Sequence, residues 1–443
     1  MSRLLPKYLG QLRRRTNAQL LGWQLFNMIK YGCVLLIAIA MARWVAEKEL
    51  IKVYEEIVLV GATLSFYFIS GLGQTILPFY EKTKGEGESL FRMLFHQFFF
   101  LGALTGLGLI VYSHFKAPDF STSYQIFALA FLLNTPTYAL ENYYLVHKKQ
   151  VPLLLWGLFA YVVQLPFLLI PLIFFNDLEW GLAGLAIVSA FKFLIALYVL
   201  KIGKKIPAFW QKSKAFFSYS FPVVLSFILG GSFLYVNAFI VEHYLTDQSF
   251  LNYRYGAREF PLFLIISNSF SLIYSGKIAA GLKENQLEDR LLQFKQKSKK
   301  VMHQLFPLAI VLVLVSYYLF QFFYGAYFDT SFLVFNFFIL LLLSRVLFPQ
   351  TILVGLGKTK YFSYASAAEL ALGVCLSLLW VEDHGVMGVA LAMICAFTVE
   401  KLILIAVCYR EKVPFFKYFP VGLYLGYMSL LLAAFWVSYL YFY

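Results

Sequence analysis

The chain of 443 residues is 61% hydrophobic and only 14% charged, whereas about a quarter of the residues of a soluble domain are charged. Long apolar runs recur from end to end, which excludes a soluble protein and predicts a polytopic α-helical membrane protein. The net charge of +14 is explained by basic loops that contact anionic lipid headgroups, and nucleic acid is not an expected partner.

Apolar segments of helical length predict an all-α transmembrane bundle of thirteen spans. Boundaries of such segments are accurate to a few residues. Their approximate limits are 20–45, 57–79, 90–113, 123–146, 152–175, 180–201, 218–243, 249–275, 302–324, 330–354, 361–381, 385–408 and 418–441.

The loops between these spans alternate in charge. The N-terminal segment and the turns around Lys148 and Lys358 are rich in Lys and Arg, whereas the loops around Asp177 and Asp247 contain neither. Because basic loops stay on the cytoplasmic side, we expect a cytoplasmic N-terminus. Thirteen spans then place the C-terminus outside.

Two pairs of glycines indicate an internal repeat. Gly181 and Gly184 open span six, and Gly385 and Gly388 open span twelve, each time after an acidic turn. Both copies cross the membrane in the same direction, so we expect two six-helix lobes related by a pseudo-twofold axis along the membrane normal. The predicted limits are 1–205 for the N-lobe, 206–410 for the C-lobe with a cytoplasmic linker at 276–300, and 411–443 for an extra C-terminal span.

Two arginines interrupt span eight. Arg254 and Arg258 are four residues apart, so on a continuous helix they share one face, and each costs about 2.5–3.5 kcal/mol in hydrocarbon. Pro261 is expected to kink this helix. Arg254 lies close enough to the outer end to snorkel, whereas Arg258 lies deeper. The pair predicts either snorkelling or a cavity wall that binds an anion, because the arginine fork matches phosphate oxygens.

Lys30 lies in a polar stripe on the first span. Gln24, Asn27 and Tyr31 are three to four residues apart, with Lys30 beside them. Such a stripe is buried against another helix more often than it faces lipid. We expect it either to line a cavity or to hold helices together.

Two more cations lie inside predicted spans. Lys192 is near the middle of span six, where it serves either a ligand or the packing of helices. Arg345 stands alone in an apolar segment, so we expect it either to pair with Glu369 or to contact a ligand.

Carboxylates are scarce within the spans. Glu259, beside Arg258, and Glu369 are expected to act as coupling groups or charge partners. Glu400 lies near the cytoplasmic end of its span, where solvation is expected, and Lys401 is expected to snorkel. No metal-ligand spacing or cofactor motif occurs, so neither a metal nor a cofactor is predicted.

Four motifs and the two-lobe plan carry a resemblance to one family of transporters. The motifs are the start of span seven at 217–222, the run at 253–258, the basic turn at 355–360 and the helix start at 385–390. In these features the chain resembles the Wzx-type polysaccharide-biosynthesis flippases of the multidrug/oligosaccharidyl-lipid/polysaccharide (MOP) exporter superfamily. The resemblance implies alternating access and transport of an undecaprenyl-diphosphate-linked oligosaccharide across the bacterial cytoplasmic (inner) membrane.

The resemblance also implies a site and partners. A diphosphate needs cations in a cavity of low dielectric constant, while its lipid tail remains in the bilayer. Other expected partners are membrane lipids and polysaccharide-assembly proteins. The candidate diphosphate contacts are Arg254, Arg258, Lys30, Arg345 and Lys192, and the candidate polar lining is Gln24, Asn27 and Tyr31.

Three alternatives remain open. A multidrug exporter coupled to Na⁺ or H⁺ favours buried carboxylates in the N-lobe, where Glu141, near a span end, is the exception to their scarcity. A lipid II flippase shares the charge argument and differs in substrate. A membrane glycosyltransferase or polymerase is the remote alternative, because no external loop is long enough for a catalytic domain, and an enzyme is not expected.

Overall fold

The computed structural model describes the backbone of residues 4–83, 87–258 and 260–442, and their side chains except at 4–21, 81–82, 226, 272 and 283. All regular secondary structure in these ranges is helical, which confirms the all-α class. The helices form two compact units, Met1–Phe227 and Ile228–Tyr443. The lobe limits predicted from the sequence stay predictions.

The apolar segments of unit 1 are helices, because a helix pairs the backbone N–H and C=O groups of a segment with each other, as lipid requires. Its buried core is rich in aromatic side chains, among them Phe26, Phe91 and Trp156. The helices are α1 (Leu4–Trp44), α2 (Lys48–Lys82), α3 (Gly87–Lys116), α4 (Ser121–Asn134), α5 (Tyr138–Val146), α6 (Gln150–Gly157), α7 (Gln164–Phe174), α8 (Leu178–Leu200) and the first part of α9 (Phe209–Tyr244).

Unit 2 contains the remaining part of α9 and nine further helices. Its helices are interrupted between Gly256 and Pro261, within predicted span eight, and between Arg345 and Pro349, within predicted span ten. The backbone is also non-helical at Gly385, where predicted spans eleven and twelve meet. The helices are α10 (Asp247–Gly256), α11 (Pro261–Lys283), α12 (Leu287–Phe323), α13 (Ser331–Leu340), α14 (Leu342–Arg345), α15 (Pro349–Gly355), α16 (Lys360–Arg410), α17 (Phe415–Tyr418) and α18 (Val421–Phe442).

The described residues contain ten helices that are long and apolar enough to cross a membrane, and eleven if the bent pair Phe209–Leu225 and Phe227–Tyr244 is one span. The sequence predicted thirteen. Span four is broken at a 3-10 turn, Thr135–Thr137, and span eight is broken before Pro261. Spans eleven and twelve form one helical segment, α16, with non-helical backbone at Gly385.

The paired glycines allow consecutive helices to approach closely. Gly385 has φ 56° and ψ −142°, a conformation that only glycine adopts readily. A Cβ atom at Gly388 would collide with the backbone oxygen of Trp380, and one at Gly184 with that of Phe167. The second glycine of each pair therefore touches the backbone of the preceding helical segment, which small residues permit.

Candidate functional site

The first candidate site lies in unit 1, where two lysines flank one carboxylate. The Nζ atom of Lys30 in α1 lies 3.9 Å from Oε2 of Glu141 in α5. The hydroxyl of Tyr161 donates a hydrogen bond to Oε1 of the same carboxylate at 2.7 Å. The Nζ atom of Lys192 in α8 donates to Oδ1 of Asn134 at 2.9 Å. We call these five residues the lysine cluster.

Tyrosine rings hold the two ammonium groups of this cluster. The Nζ atoms of Lys30 and Lys192 lie 5.3 Å and 5.4 Å from the centroid of the Tyr161 ring. Lys30 Nζ also lies 4.8 Å from the centroid of Tyr138. An aromatic ring attracts a cation by about 0.5–2 kcal/mol. Tyr161 therefore holds both lysines with its ring and the carboxylate with its hydroxyl.

Irregular backbone positions the lysine cluster. The 3-10 turn Thr135–Thr137 lies directly between Asn134 and the helix that carries Glu141. Tyr161 lies in a π-helical turn, Leu158–Val162, between α6 and α7. Such turns are frequent at functional sites. Neither break was predicted from the sequence: a proline within Thr135–Thr137 is a signal for the first, and no sequence signal marks the second.

The lysine cluster has more positive than negative groups, and its two lysines differ in exposure. Two ammonium groups accompany one carboxylate, so this group of five described residues carries one excess positive charge. The side chain of Lys30 is 26% exposed, whereas Lys192 is 3% exposed. Glu141, which the sequence marks only as an exception to the scarcity of acids, is the member of this candidate site that was not predicted. Lys30 is therefore the more exposed lysine of the cluster.

The predicted polar stripe on α1 is partly accounted for by the helix itself. The amide of Asn27 donates to the backbone oxygen of Trp23 at 3.0 Å. Gln24 and Asn27 are half-buried, and Tyr31 is exposed. The cavity-lining role of the stripe stays a prediction.

The second candidate site lies in unit 2, between α10 and α11. The continuous helix predicted through Arg254 and Arg258 is wrong, because α10 ends at Gly256 and α11 begins at Pro261. Pro261 occupies the first turn of α11, where its missing N–H needs no partner. Arg258 therefore lies in the connection and does not share a helical face with Arg254. Glu259 lies outside the described residues.

The two arginines nevertheless remain in contact. The Nε atom of Arg258 donates to the backbone oxygen of Arg254 at 3.2 Å. The guanidinium carbon of Arg258 lies 5.0 Å from the centroid of the buried Tyr255 ring. Non-helical backbone at membrane depth is tolerated where it is buried in protein or lines a cavity. Both arginines at the break are half-buried.

A third group of charges in unit 2 surrounds Glu369. Its carboxylate interacts electrostatically with Glu400, Lys401 and Arg345, and both roles expected of Arg345, pairing with Glu369 and contact with a ligand, stay predictions. Glu400 forms an ion pair with Lys401 and accepts a hydrogen bond from Nε2 of Gln350 at 2.7 Å. The expected solvation of Glu400 and Lys401 is wrong: they are 2% and 6% exposed, because each has a partner inside the protein.

The charged groups favour anions over metal ions. Among the side chains that the structure describes, no three of His, Cys, Asp or Glu are grouped so as to hold a metal. The lysine cluster and the arginine pair instead offer ammonium and guanidinium donors, which bind phosphate and carboxylate groups.

Comparison with known proteins finds similarity in structure alone. No family model matches the chain, and no curated protein matches it. A lipid II flippase MurJ in an inward closed conformation has 18% sequence identity, with a TM-score of 0.66 over 94% of this chain and 92% of that chain. The MATE transporter VcmN of Vibrio cholerae has 14% identity and a TM-score of 0.56, over 91% and 99% of the two chains.

A third similar structure is a MOP-superfamily transporter from Pyrococcus furiosus, for which reversed polarity of the binding pocket suggested a different function. It has 11% identity and a TM-score of 0.55, over 89% of this chain and 95% of that one. The chain therefore has the fold of the MOP-superfamily transporters. It is a multi-pass membrane protein with ten to eleven apolar spans among its described residues.

Proposed function

We propose that the chain is a flippase that moves an undecaprenyl-diphosphate-linked oligosaccharide from the cytoplasmic to the outer leaflet by alternating access. The lysine cluster is the observation that carries this proposal. It holds two ammonium groups and one carboxylate around a single tyrosine, inside a fold shared with lipid flippases and exporters.

Charge balance supports an anionic cargo. A cation at the centre of a membrane helix costs about 2.5–3.5 kcal/mol on insertion scales. The carboxylate of Glu141 balances the charge of one of the two lysines. The negative charge that balances the other lysine is proposed to come from a diphosphate. Lys30 is the accessible lysine and is proposed to contact a phosphate oxygen directly. Lys192 is buried and acts through its field across the Tyr161 ring.

Within unit 2, Arg254 and Arg258 are proposed as a separate place at which a diphosphate is bound. Each guanidinium presents donors that match two phosphate oxygens at once. Tyr255 and the backbone of Arg254 orient the side chain of Arg258, so less conformational entropy is lost when it binds. The polyprenyl chain needs no pocket, because it remains in the bilayer.

A lipid II flippase is the second candidate function. The same charge argument applies to it, and one structure similar to this chain is a lipid II flippase. An identity of 18% supports a shared fold and does not specify a shared substrate. The experiment below distinguishes the two cargoes.

A cation-coupled multidrug exporter is the third candidate, and Glu141 is the observation in its favour. Such an exporter binds cations at buried acids. Here both oxygens of the Glu141 carboxylate already face donors, Lys30 and Tyr161. We therefore propose that Glu141 positions Lys30 and does not bind the cargo.

The proposal includes location and partners. The basic loops support a cytoplasmic N-terminus, and the bacterial inner membrane is the proposed location because it is where the proposed cargo would be moved. Membrane lipids and polysaccharide-assembly proteins are the proposed neighbours.

Deletion of the gene tests the proposed function. The expected result is accumulation of complete lipid-linked oligosaccharide on the cytoplasmic face, with loss of surface glycan. An incomplete glycan would contradict the proposal and indicate an enzyme. Accumulation of lipid II would favour the second candidate, and normal glycan with increased drug sensitivity would favour the exporter.

A further inference from the structure

A small cavity in unit 2 lies beside the charges around Glu369. Its volume is ≈ 60 Å³, and about 10–15 Å³ of such volume holds one water molecule. The cavity therefore has room for one small polyatomic ion with little water. It lies among α11, the break between α14 and α15, and α16. We call it the Arg345 cavity, and its polar lining includes Ser267, Asn268, Arg345, Gln350, Thr351 and Lys401.

The lining of the Arg345 cavity contains donors and cations. Arg345 and the buried Lys401 both line the cavity. Lys401 is paired with Glu400, to which Nε2 of Gln350 also donates, so the guanidinium of Arg345 and the amide of Asn268 are the main donors. A guanidinium group in the wall favours an anion over a metal cation.

Ser267 is an independent indication that the cavity binds a ligand. It is 5% exposed, and its Oγ atom has no hydrogen-bond partner among the described residues. The neighbouring hydroxyls of Ser271 and Thr351, by contrast, bond to each other at 2.7 Å. A buried hydroxyl without a partner is unfavourable. A ligand in the cavity that accepts from Ser267 removes this penalty.

The backbone around Arg345 is shaped to form the cavity. α14 ends at Arg345, Phe348 has a left-handed φ of 54°, and α15 begins at Pro349. A bulky residue rarely adopts positive φ, and such strain persists at sites where the surroundings fix it. The break interrupts predicted span ten and brings Arg345 and Gln350 to the same cavity.

We propose that the Arg345 cavity binds one oxyanion of the phosphate type. The guanidinium of Arg345 matches two oxygens of such an ion, and Ser267 and Lys401 donate to others. The volume is too small for a diphosphate-linked sugar, so Arg345, predicted from sequence as one of the diphosphate contacts, is assigned here to a separate site that does not depend on the proposed function. The phosphate group comes from either a free ion or a lipid headgroup.

Equilibrium dialysis of the purified full-length protein in detergent against radiolabelled inorganic phosphate, at constant ionic strength, tests this proposal. Saturable binding at one site per chain is expected. Arg345→Gln is expected to weaken binding about tenfold or more, because a hydrogen bond to a charged group is lost. The matched control, Arg410→Gln, removes an exposed arginine from α16 and is expected to leave binding unchanged.

A second variant gives a change in the opposite direction. Glu369→Gln removes a negative charge near the cavity and is expected to strengthen phosphate binding about threefold. Because a misfolded protein does not bind more tightly, this result separates electrostatics from damage to the fold. Absence of saturable binding, equal binding by Arg345→Gln, or complete competition by chloride at the same concentration would overturn the proposal.

Nanodiscs identify the source of the phosphate group. If nanodiscs containing phosphatidic acid displace the labelled phosphate and those of phosphatidylcholine do not, the site takes a headgroup phosphate. If neither lipid displaces it, the site takes the free ion. Both results support oxyanion binding, and displacement by phosphatidylcholine alone would contradict it.

Discussion

Tyr161 donates its hydroxyl to Oε1 of Glu141 at 2.7 Å, and its ring lies 5.3 Å from the ammonium group of Lys30. The side chain of Tyr161 thus contacts both the carboxylate of Glu141 and the ammonium group of Lys30. The other oxygen of Glu141, Oε2, lies 3.9 Å from Lys30, beyond a short hydrogen bond. Lys30 is therefore held near the carboxylate without being bound tightly, which keeps it available to an anion.

Tyr161→Phe tests this arrangement. The variant keeps the ring and removes the hydroxyl, so Glu141 loses a buried donor and the free energy of unfolding is expected to fall by about 1–3 kcal/mol. Transport is also expected to fall, because Glu141 then competes with the cargo for Lys30. Thermal unfolding in detergent and glycan display measure the two effects. Tyr198→Phe, at an exposed tyrosine of α8, is the control and is expected to change neither.

Lys192→Met separates a functional charge from a structural one. Met keeps most of the side-chain volume and removes a buried ammonium group, which is costly to keep away from water. The substitution also removes the donor to Oδ1 of Asn134, which offsets part of this gain, so we expect the unfolding temperature to change little while glycan display is lost. A variant that unfolds at a clearly lower temperature would show instead that Lys192 serves the packing of unit 1.

Arg258→Ala is expected to abolish transport while the protein still inserts at a normal level. Arg258→Lys is expected to lose only part of the activity, because lysine keeps the charge but not the guanidinium fork. Glycan display, normalised to the amount of protein in the membrane, measures both variants. Arg410→Gln again provides the exposed control, and full display by Arg258→Ala would remove Arg258 from the proposed diphosphate contacts.

Gly385→Ala is expected to reduce stability through the backbone alone. A Cβ atom at Gly385 finds open space within 4 Å, but φ 56° with ψ −142° is strained for alanine, at a cost on the order of 1–3 kcal/mol. Gly422→Ala is the control: its Cβ also finds open space, and alanine is favoured within a helix such as α18. Thermal unfolding that is equal for the two variants would contradict the backbone explanation.

Hydropathy alone predicted the class of this protein, because helices that must satisfy their backbone in lipid leave long apolar runs in the sequence. The glycines at the starts of two spans also indicated close backbone packing, as at Gly184 and Gly388. Local breaks were less predictable. Pro261 reads as a kink within a helix from sequence, whereas tertiary packing places it at a helix start, and the π-turn at Tyr161 has no sequence signal.

The candidate site was predicted unevenly for a related reason. An apolar run makes a charged residue conspicuous, so Lys30, Lys192 and Arg345 were found from sequence. Their partners were harder to identify, because pairing depends on which helices are neighbours. Sequence distance conceals that Glu141 faces Lys30, and that Gln350 covers Glu400. The burial of Glu400 and Lys401 was missed because position near a helix end was taken to mean contact with water.

Flipping of a fluorescent undecaprenyl-diphosphate-linked oligosaccharide in proteoliposomes tests the central claim most directly. The wild-type protein is expected to expose the labelled lipid to an external quencher faster than protein-free liposomes do. Lys30→Gln is expected to abolish this acceleration, and Lys205→Gln, at an exposed lysine, to preserve it. A folded wild-type protein that does not accelerate flipping, or a Lys30→Gln variant as active as the wild type, would contradict the account.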